Sequence, residues 1–154
     1  MRTRIIGIVL AGAFALAGGC GGGSARLTLG AYVAESSTIC IRANRAIARI
    51  PRPGLDHAVR MASSTARVVA IHRRSVDSLR ALRPPKDYES VAKLWIALVD
   101  QSLDELDAMR VSLQAGEQSE AIAYAQKADA LDERSRVIAQ KYGITPCNVP
   151  QLIA

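Results

Sequence analysis

The stretch AIAYAQKADALDERSRVIAQKY, residues 121–142, has the most regular hydrophobic pattern in the chain and decides its fold class. The residues of one face recur at alternating steps of three and four: Ala121, Tyr124, Ala128, Leu131, Ser135, Ile138 and Tyr142. Because an α-helix completes a turn about every 3.6 residues, this spacing predicts a helix that packs one face against a core. Gly143 and Pro146 end it.

Similar spacing predicts three more helices upstream. The first covers about residues 29–49 and presents Tyr32, Ser36, Ile39, Ala43, Ile47 and Ile50. The second covers about residues 55–82 and presents Val59, Ala62, Ala66, Val69, Val76 and Leu79. The third has Asp87 as its predicted N-cap and Gly116 as its C-terminal glycine. It presents Val91, Leu94, Trp95, Leu98, Leu106, Met109 and Leu113.

The connectors between these helices contain residues that stop a helix, namely Pro51-Arg52-Pro53-Gly54, Pro84-Pro85 and Gly116. Short connectors make consecutive helices antiparallel, and no run shows the alternation of a strand. We therefore expect an all-α fold, an antiparallel up-down-up-down four-helix bundle over residues 29–147. Residues 148–154 are expected to form a C-terminal tail.

The first 19 residues have the layout of a signal peptide. Arg2 and Arg4 form a short basic region, and an apolar region runs from Ile5 to about Leu16. A membrane-spanning helix is the alternative for this segment, but Gly18, Gly19 and the glycines of residues 21–23 disfavour a helix there.

The residues that follow, Leu16-Ala17-Gly18-Gly19-Cys20, resemble the lipobox of bacterial lipoproteins. The resemblance implies that Cys20 receives a diacylglyceryl lipid and becomes the new N-terminus. Residues 20–28 are then the lipidated cysteine and a flexible tether, which contains Gly21-Gly22-Gly23-Ser24. Ala15-Leu16-Ala17 is also an A-x-A pattern, and cleavage after Ala17 would release an unanchored protein.

The cysteine count bears on this choice, because three cysteines leave one unpaired in an exported protein. Lipidation of Cys20 leaves Cys40 and Cys147 as an even pair. In the predicted bundle the start of the first helix and the end of the fourth lie at the same end, so a disulfide between Cys40 and Cys147 would close it. Two free thiols and a metal-binding pair are the alternatives.

Composition and net charge indicate which classes of binding partner are favoured. Removal of Arg2 and Arg4 with the signal peptide lowers the net charge from +6 to +4. For an exported, anchored protein this charge favours anionic headgroups or acidic envelope polymers over nucleic acid. Aromatic residues are only 4% of the chain, which disfavours base-stacking surfaces.

No catalytic motif, metal site or cofactor site is predicted. His57 and His72 are 15 residues apart on one helix, too far for a shared site. Asp100, Asp104 and Asp107 share one helix face and would suit a hard cation, but pairing with arginines is the favoured interpretation. Those arginines form three groups: Arg42, Arg45 and Arg49; Arg60, Arg67 and Arg74; Arg73, Arg80 and Arg83.

The mature part is also similar to small exported bacterial helical proteins of unassigned function. The resemblance rests on Cys40 near the start of the first helix, Cys147 beyond the last, and the Leu82-Arg83-Pro84-Pro85 turn. It implies a structure and no activity.

Two functions follow as hypotheses. The favoured one is a non-enzymatic interaction or structural lipoprotein at the cell envelope. It would be lipid-anchored outside the cytoplasm and would bind an envelope protein or an anionic surface through arginine-rich faces. The alternative is a ligand-binding bundle with an internal cavity near Trp95, where His72 or Ser102 would meet the ligand.

Overall fold

The structure, a computed structural model, describes residues 25–54 and 57–147. The signal peptide, Cys20 and the tail at residues 148–154 lie outside the described residues. The described chain is all-helical, with four α-helices: α1 (Leu29–Ile47), α2 (Ala58–Ala81), α3 (Glu89–Ala115) and α4 (Gln118–Lys141). A single 3-10 turn, Lys86–Tyr88, precedes α3. None of the described helices is both long and apolar enough to cross a membrane.

The helix ends follow from local chemistry. The Thr28 hydroxyl accepts a hydrogen bond from the Ala31 amide at the start of α1. Gly116 and Gly143 adopt left-handed backbone conformations, with φ of 79° and 72°, beyond the ends of α3 and α4. Each begins a Schellman motif, in which the Glu117 amide donates to the Ser112 carbonyl and the Ile144 amide to the Ala139 carbonyl.

The predicted N-cap of the third helix is wrong. Asp87 lies inside the 3-10 turn, and Tyr88 is the N-cap of α3, without a side-chain hydrogen bond. The physical reason is that the turn runs directly into the helix: the Tyr88 amide already donates to the Pro85 carbonyl at 3.0 Å.

The core is built around α3, which packs along both α2 and α4, while α1 packs on α2. α3 contributes large buried side chains, among them Trp95, Leu103, Leu106, Met109 and Leu113. α4 opposes them with small residues: Ala121, Ala125, Ala128, Ser135 and Ala139. Small side chains let two helices approach closely. The predicted face of α4 is therefore shifted, and Tyr124, Leu131 and Ile138 are only partly buried at its edges.

Three residues predicted to face the core do not. Val59 is 79% exposed, Leu94 is 53% exposed and Ala66 is exposed. On α2 the other four predicted residues, Ala62, Val69, Val76 and Leu79, are buried, and the buried face also includes Met61, Thr65, Val68 and His72. The buried face is therefore wider than predicted and is centred on a neighbouring line of the helix surface, which the spacing of valine and alanine does not reveal.

Two segments outside the helices are held to the helical body by specific contacts. The Leu27 amide donates to the Arg83 carbonyl at 2.8 Å, and Arg26 donates to the Pro84 carbonyl at 3.0 Å. After α4, Cys147 forms a disulfide with Cys40 of α1, with 4.4 Å between their Cα atoms, as the sequence predicts.

The disulfide lies among further contacts of the segment that follows α4. The Asn44 amide group donates to the Pro146 carbonyl at 3.0 Å, and the Thr145 amide donates to the Ser37 hydroxyl at 2.9 Å. Ile144 is buried.

Candidate functional site

The residues predicted to bind a ligand, His72, Trp95 and Ser102, are all within the core and at most 1% exposed. The Ser102 hydroxyl donates to the carbonyl of Ala128 at 3.1 Å, which joins α3 to α4. The surface cavities described below are lined by other residues.

The row of three aspartates on α3 is paired with arginines, as the favoured interpretation of the sequence has it. Asp100 contacts Arg80 at 2.7 Å, and Asp104 contacts Arg73 at 2.8 Å. Asp107 contacts an arginine on its own helix. The hydrogen bond to Asp104 raises the pKa of Arg73, because it stabilises the charged guanidinium. Over residues 25–54 and 57–147, no group of three or more histidine, cysteine or acidic side chains is placed to hold a metal ion.

Charge is distributed very unevenly along the chain. Residues 25–83 contain eleven arginines and only three acidic residues, whereas residues 84–147 contain seven basic and eleven acidic residues. The first segment forms α1 and α2, and the second forms α3 and α4. One side of the molecule is therefore strongly cationic and the other weakly anionic.

Seven arginines on α1, α2 and their connector form what we call the arginine face: Arg42, Arg45, Arg49, Arg52, Arg60, Arg67 and Arg74. All seven are exposed, and none has an ion pair with any residue that the structure describes. Of the three arginine groups seen in the sequence, only the one with Arg73 and Arg80 reaches the aspartates of α3.

The arginine face is corrugated by three shallow cavities. Arg42, Arg45 and Arg49 line one of about 450 Å³ on α1. Arg42 also borders a groove of about 280 Å³ between α1 and α2, opposite Arg74. A third cavity, of about 470 Å³, lies at the α1–α2 connector and is lined by the remaining three arginines.

A different cavity, of about 370 Å³, lies between the end of α2 and the start of α3. We call it the α2–α3 cleft. Its floor is apolar and consists of Tyr32, Leu79, Ala92 and Ile96, all buried. Its rim is mainly cationic, with Arg26, Arg80, Arg83 and Lys93 and the single carboxylate of Glu89.

The ion pairs of this rim leave excess positive charge. Glu89 accepts hydrogen bonds from both Lys93, at 2.9 Å, and Arg26, at 2.8 Å. These two bonds lower the pKa of Glu89 below its ordinary value of 4.5, that of Lys93 contributing most. The single negative charge of Glu89 therefore balances only one of the two positive charges that it contacts.

Tyr32, on the floor of the cleft, carries a buried hydroxyl. Burial raises its pKa, and the neighbouring Ser36 hydroxyl partly offsets this. The contact between the two hydroxyls lacks the geometry of a full hydrogen bond, and neither has another partner among the described residues. The phenol is therefore a protonated, weakly satisfied polar group inside the core.

Sequence reasoning identified the arginine spacing but assigned it to ion pairing, and it missed the cleft entirely. Arg26 precedes the first helix and Lys93 lies on an exposed helix position, so neither has a local signal of a site. No protein-family model, curated protein or solved structure matches this chain.

Proposed function

We propose that this protein is an exported, lipid-anchored interaction module of the cell envelope, non-enzymatic, which binds an acidic polymer through the arginine face. The observation that carries the proposal is the set of seven exposed arginines with no ion-pair partner among the described residues. By contrast, Arg73, Arg80 and Lys93 each pair with a carboxylate. What sets the arginine face apart is that seven arginines without such a pair among the described residues share two helices and their connector.

The chemistry of the face suits a ligand with repeated anionic groups. Each guanidinium presents a planar fork of donors that fits a carboxylate or phosphate with two parallel hydrogen bonds. A single small anion would engage one or two of these arginines. A polymer with an acidic group on successive units would engage several arginines together. It would also reduce the repulsion between neighbouring arginines, which adds to the free energy of each contact.

The proposal includes the finer topology, an antiparallel up-down-up-down bundle. Several contacts support it: Arg80 pairs with Asp100 while Arg73, earlier on α2, pairs with the later Asp104. In that topology the starts of α1 and α3 lie at one end, the end at which the described chain begins with Ala25. Arg42 is 13 residues beyond Leu29, roughly 20 Å along α1, and the α1–α2 connector lies farther still.

This placement favours an envelope polymer over the anchoring membrane as the partner. Ala25, from which the proposed tether leads back to Cys20, precedes the end of α1 that is opposite to most of the arginine face. A protein held upright by its lipid would therefore present these arginines away from its own bilayer. An anionic vesicle is accordingly the control probe rather than the expected ligand.

The test compares charge removal on the two sides of the molecule. The full chain, expressed in an exporting bacterial host and purified in non-ionic detergent, is titrated with polyglutamate and with polyphosphate. The variant R42Q/R45Q/R49Q removes three charges from the arginine face. The matched control, K127Q/R134Q/K141Q, removes three from α4.

We expect the first variant to bind either polymer about tenfold more weakly, and the affinity of the parent to fall steeply with salt. The control variant should change affinity little. Equal losses in both variants would mean that only net charge matters and would overturn the proposed face. Tighter binding to anionic vesicles than to either polymer would reassign the partner to a membrane.

Lipidation is tested separately on the mature N-terminus. Mass spectrometry of protein from membranes should find a diacylated Cys20 as the first residue. The variant Cys20→Ser should lose both the lipid and membrane retention. A mature chain that begins at Gly18 would instead identify the secreted, unanchored alternative with cleavage after Ala17.

A further inference from the structure

The α2–α3 cleft carries a second inference, independent of the arginine face. We propose that it binds a single-chain amphiphile with a carboxylate head, that is, a free fatty acid. Three features of the cleft favour this ligand: the shape of its floor, the charge of its rim and the presence of Glu89 on that rim.

The floor specifies an aliphatic chain. Leu79 of α2 and the pair Ala92 and Ile96 of α3 form an apolar trough between two helices, and Leu82 and Ala97 extend it. These residues offer methyl groups and only one aromatic ring, that of Tyr32. The volume of about 370 Å³ is near the lower end of small-ligand sites, which run from roughly 300 to 1,000 Å³. One chain fits such a trough better than a two-chain lipid.

The rim specifies an anionic head. Arg26 lies across the end of the trough, held to the Pro84 carbonyl, and Lys93 projects from α3. Both already hold a carboxylate, that of Glu89, with distances of 2.8 and 2.9 Å. A second carboxylate can bind to the N–H donors of Arg26 and Lys93 that neither Glu89 nor the Pro84 carbonyl occupies. Each guanidinium has five N–H donors and each ammonium three.

Glu89 also selects between kinds of anion. Its carboxylate is on the same rim, so any anionic head meets some repulsion from it. A singly charged carboxylate meets less than a phosphate monoester, which approaches two charges at neutral pH. A neutral head would leave the rim cations without new partners. The site thus favours a fatty acid over both a fatty alcohol and an alkyl phosphate.

Photocrosslinking tests this on the purified full chain, whether or not it carries the proposed lipid. The protein is exposed to a diazirine-bearing fatty acid and irradiated, and the labelled peptides are mapped by mass spectrometry. We expect label on the peptides that cover residues 79–97. Excess dodecanoate should compete, and dodecanol should compete about tenfold less well, the worth of one hydrogen bond to a charged group.

Two pairs of variants make the assignment specific. Ala97 is exposed and lines the cleft, so Ala97→Trp should fill it and reduce labelling to background. Ala123→Trp, at an exposed position on α4, is the matched control and should label as the parent does. Circular dichroism checks that both remain folded. R26Q/K93Q should weaken competition by dodecanoate, and K127Q/R134Q should not.

Three outcomes would overturn the proposal. Equal labelling of Ala97→Trp and the parent would show that the fatty acid contacts another surface. Equal competition by dodecanol and dodecanoate would show that the cations of the rim do not bind the carboxylate head. Stronger competition by dodecyl phosphate would reassign the head group. None of these results bears on the arginine face, which is tested by polymer binding.

Discussion

Reduction of the disulfide between Cys40 and Cys147 should remove a large and calculable part of the stability. The crosslink joins residues 107 positions apart, so it restricts most of the unfolded chain. In the loop-entropy model a closed loop of this length is worth about 4.8 kcal/mol at room temperature. That amount is a large fraction of the total stability of an ordinary domain, about 5 to 15 kcal/mol.

Reduction should weaken the contacts of the native state only slightly, and its main effect should be to raise the conformational entropy of the unfolded chain. The segment after α4 remains attached to α1 through the bonds from Asn44 and to Ser37, and Ile144 stays buried. The helices should therefore persist in the reduced protein under native conditions. The expected effect is on the midpoint of unfolding, with a rise in the denaturant slope because the unfolded chain becomes more expanded.

The assay is urea unfolding of the full chain in non-ionic detergent, followed by circular dichroism. Because both cysteines are at most 2% exposed, the protein is reduced while unfolded and refolded under a phosphine reductant. With a slope of about 2 kcal/mol/M, we expect the midpoint to fall by about 2 M. Asn44→Ala in the oxidised protein is the control and should cost about 1 kcal/mol. A reduced protein within about 1 kcal/mol of the oxidised one would refute the loop-entropy reasoning.

Three further predictions concern single side chains. Tyr32→Phe removes a buried hydroxyl that has no full hydrogen bond among the described residues, so thermal unfolding should show unchanged or slightly higher stability; a loss above about 1 kcal/mol would mean that the hydroxyl is well bonded. Ser102→Ala removes the bond to a carbonyl of α4 and should cost about 1 kcal/mol in urea unfolding, and a neutral result would contradict that bond. Glu89, whose pKa Lys93 and Arg26 lower in the folded state, stabilises the protein above pH 4.5 and loses this effect as the pH falls through its folded pKa. Glu89→Gln should therefore melt below the parent at neutral pH, with a difference that closes in acid, and a difference independent of pH would count against the ion pairs.

The helical architecture was largely predictable because its determinants are local. Spacing of three and four and the prolines of the connectors were enough to find four helices with ends within a few residues of those observed. Register was less predictable: Val59 and Ala66 are as apolar as their buried neighbours on α2, and only packing against α3 decides which line of the helix is covered. The predicted N-cap of α3, Asp87, was wrong for a related reason. The 3-10 turn before the helix supplies a backbone carbonyl, that of Pro85, as acceptor for the Tyr88 amide.

The candidate sites, too, were predictable only in part. The periodic arginines of α1 and α2 are visible in the sequence, but whether an arginine finds a carboxylate depends on which helix lies beside it. Arg73 and Arg80 meet the aspartates of α3, whereas Arg42 and Arg60 meet none among the described residues. The α2–α3 cleft had no sequence signal, because its floor residues look like any core residues.

By itself the sequence determined the elements and the covalent possibilities: an all-helical body, a cationic first half, and the pair of cysteines Cys40 and Cys147. The first two follow from periodicity and composition, and the pairing of the cysteines follows from their count. Tertiary structure alone decided which charges are neutralised and where a cavity opens. Both depend on the distance between side chains far apart in the chain, and helix packing sets that distance through the small residues of α4 and the large residues of α3.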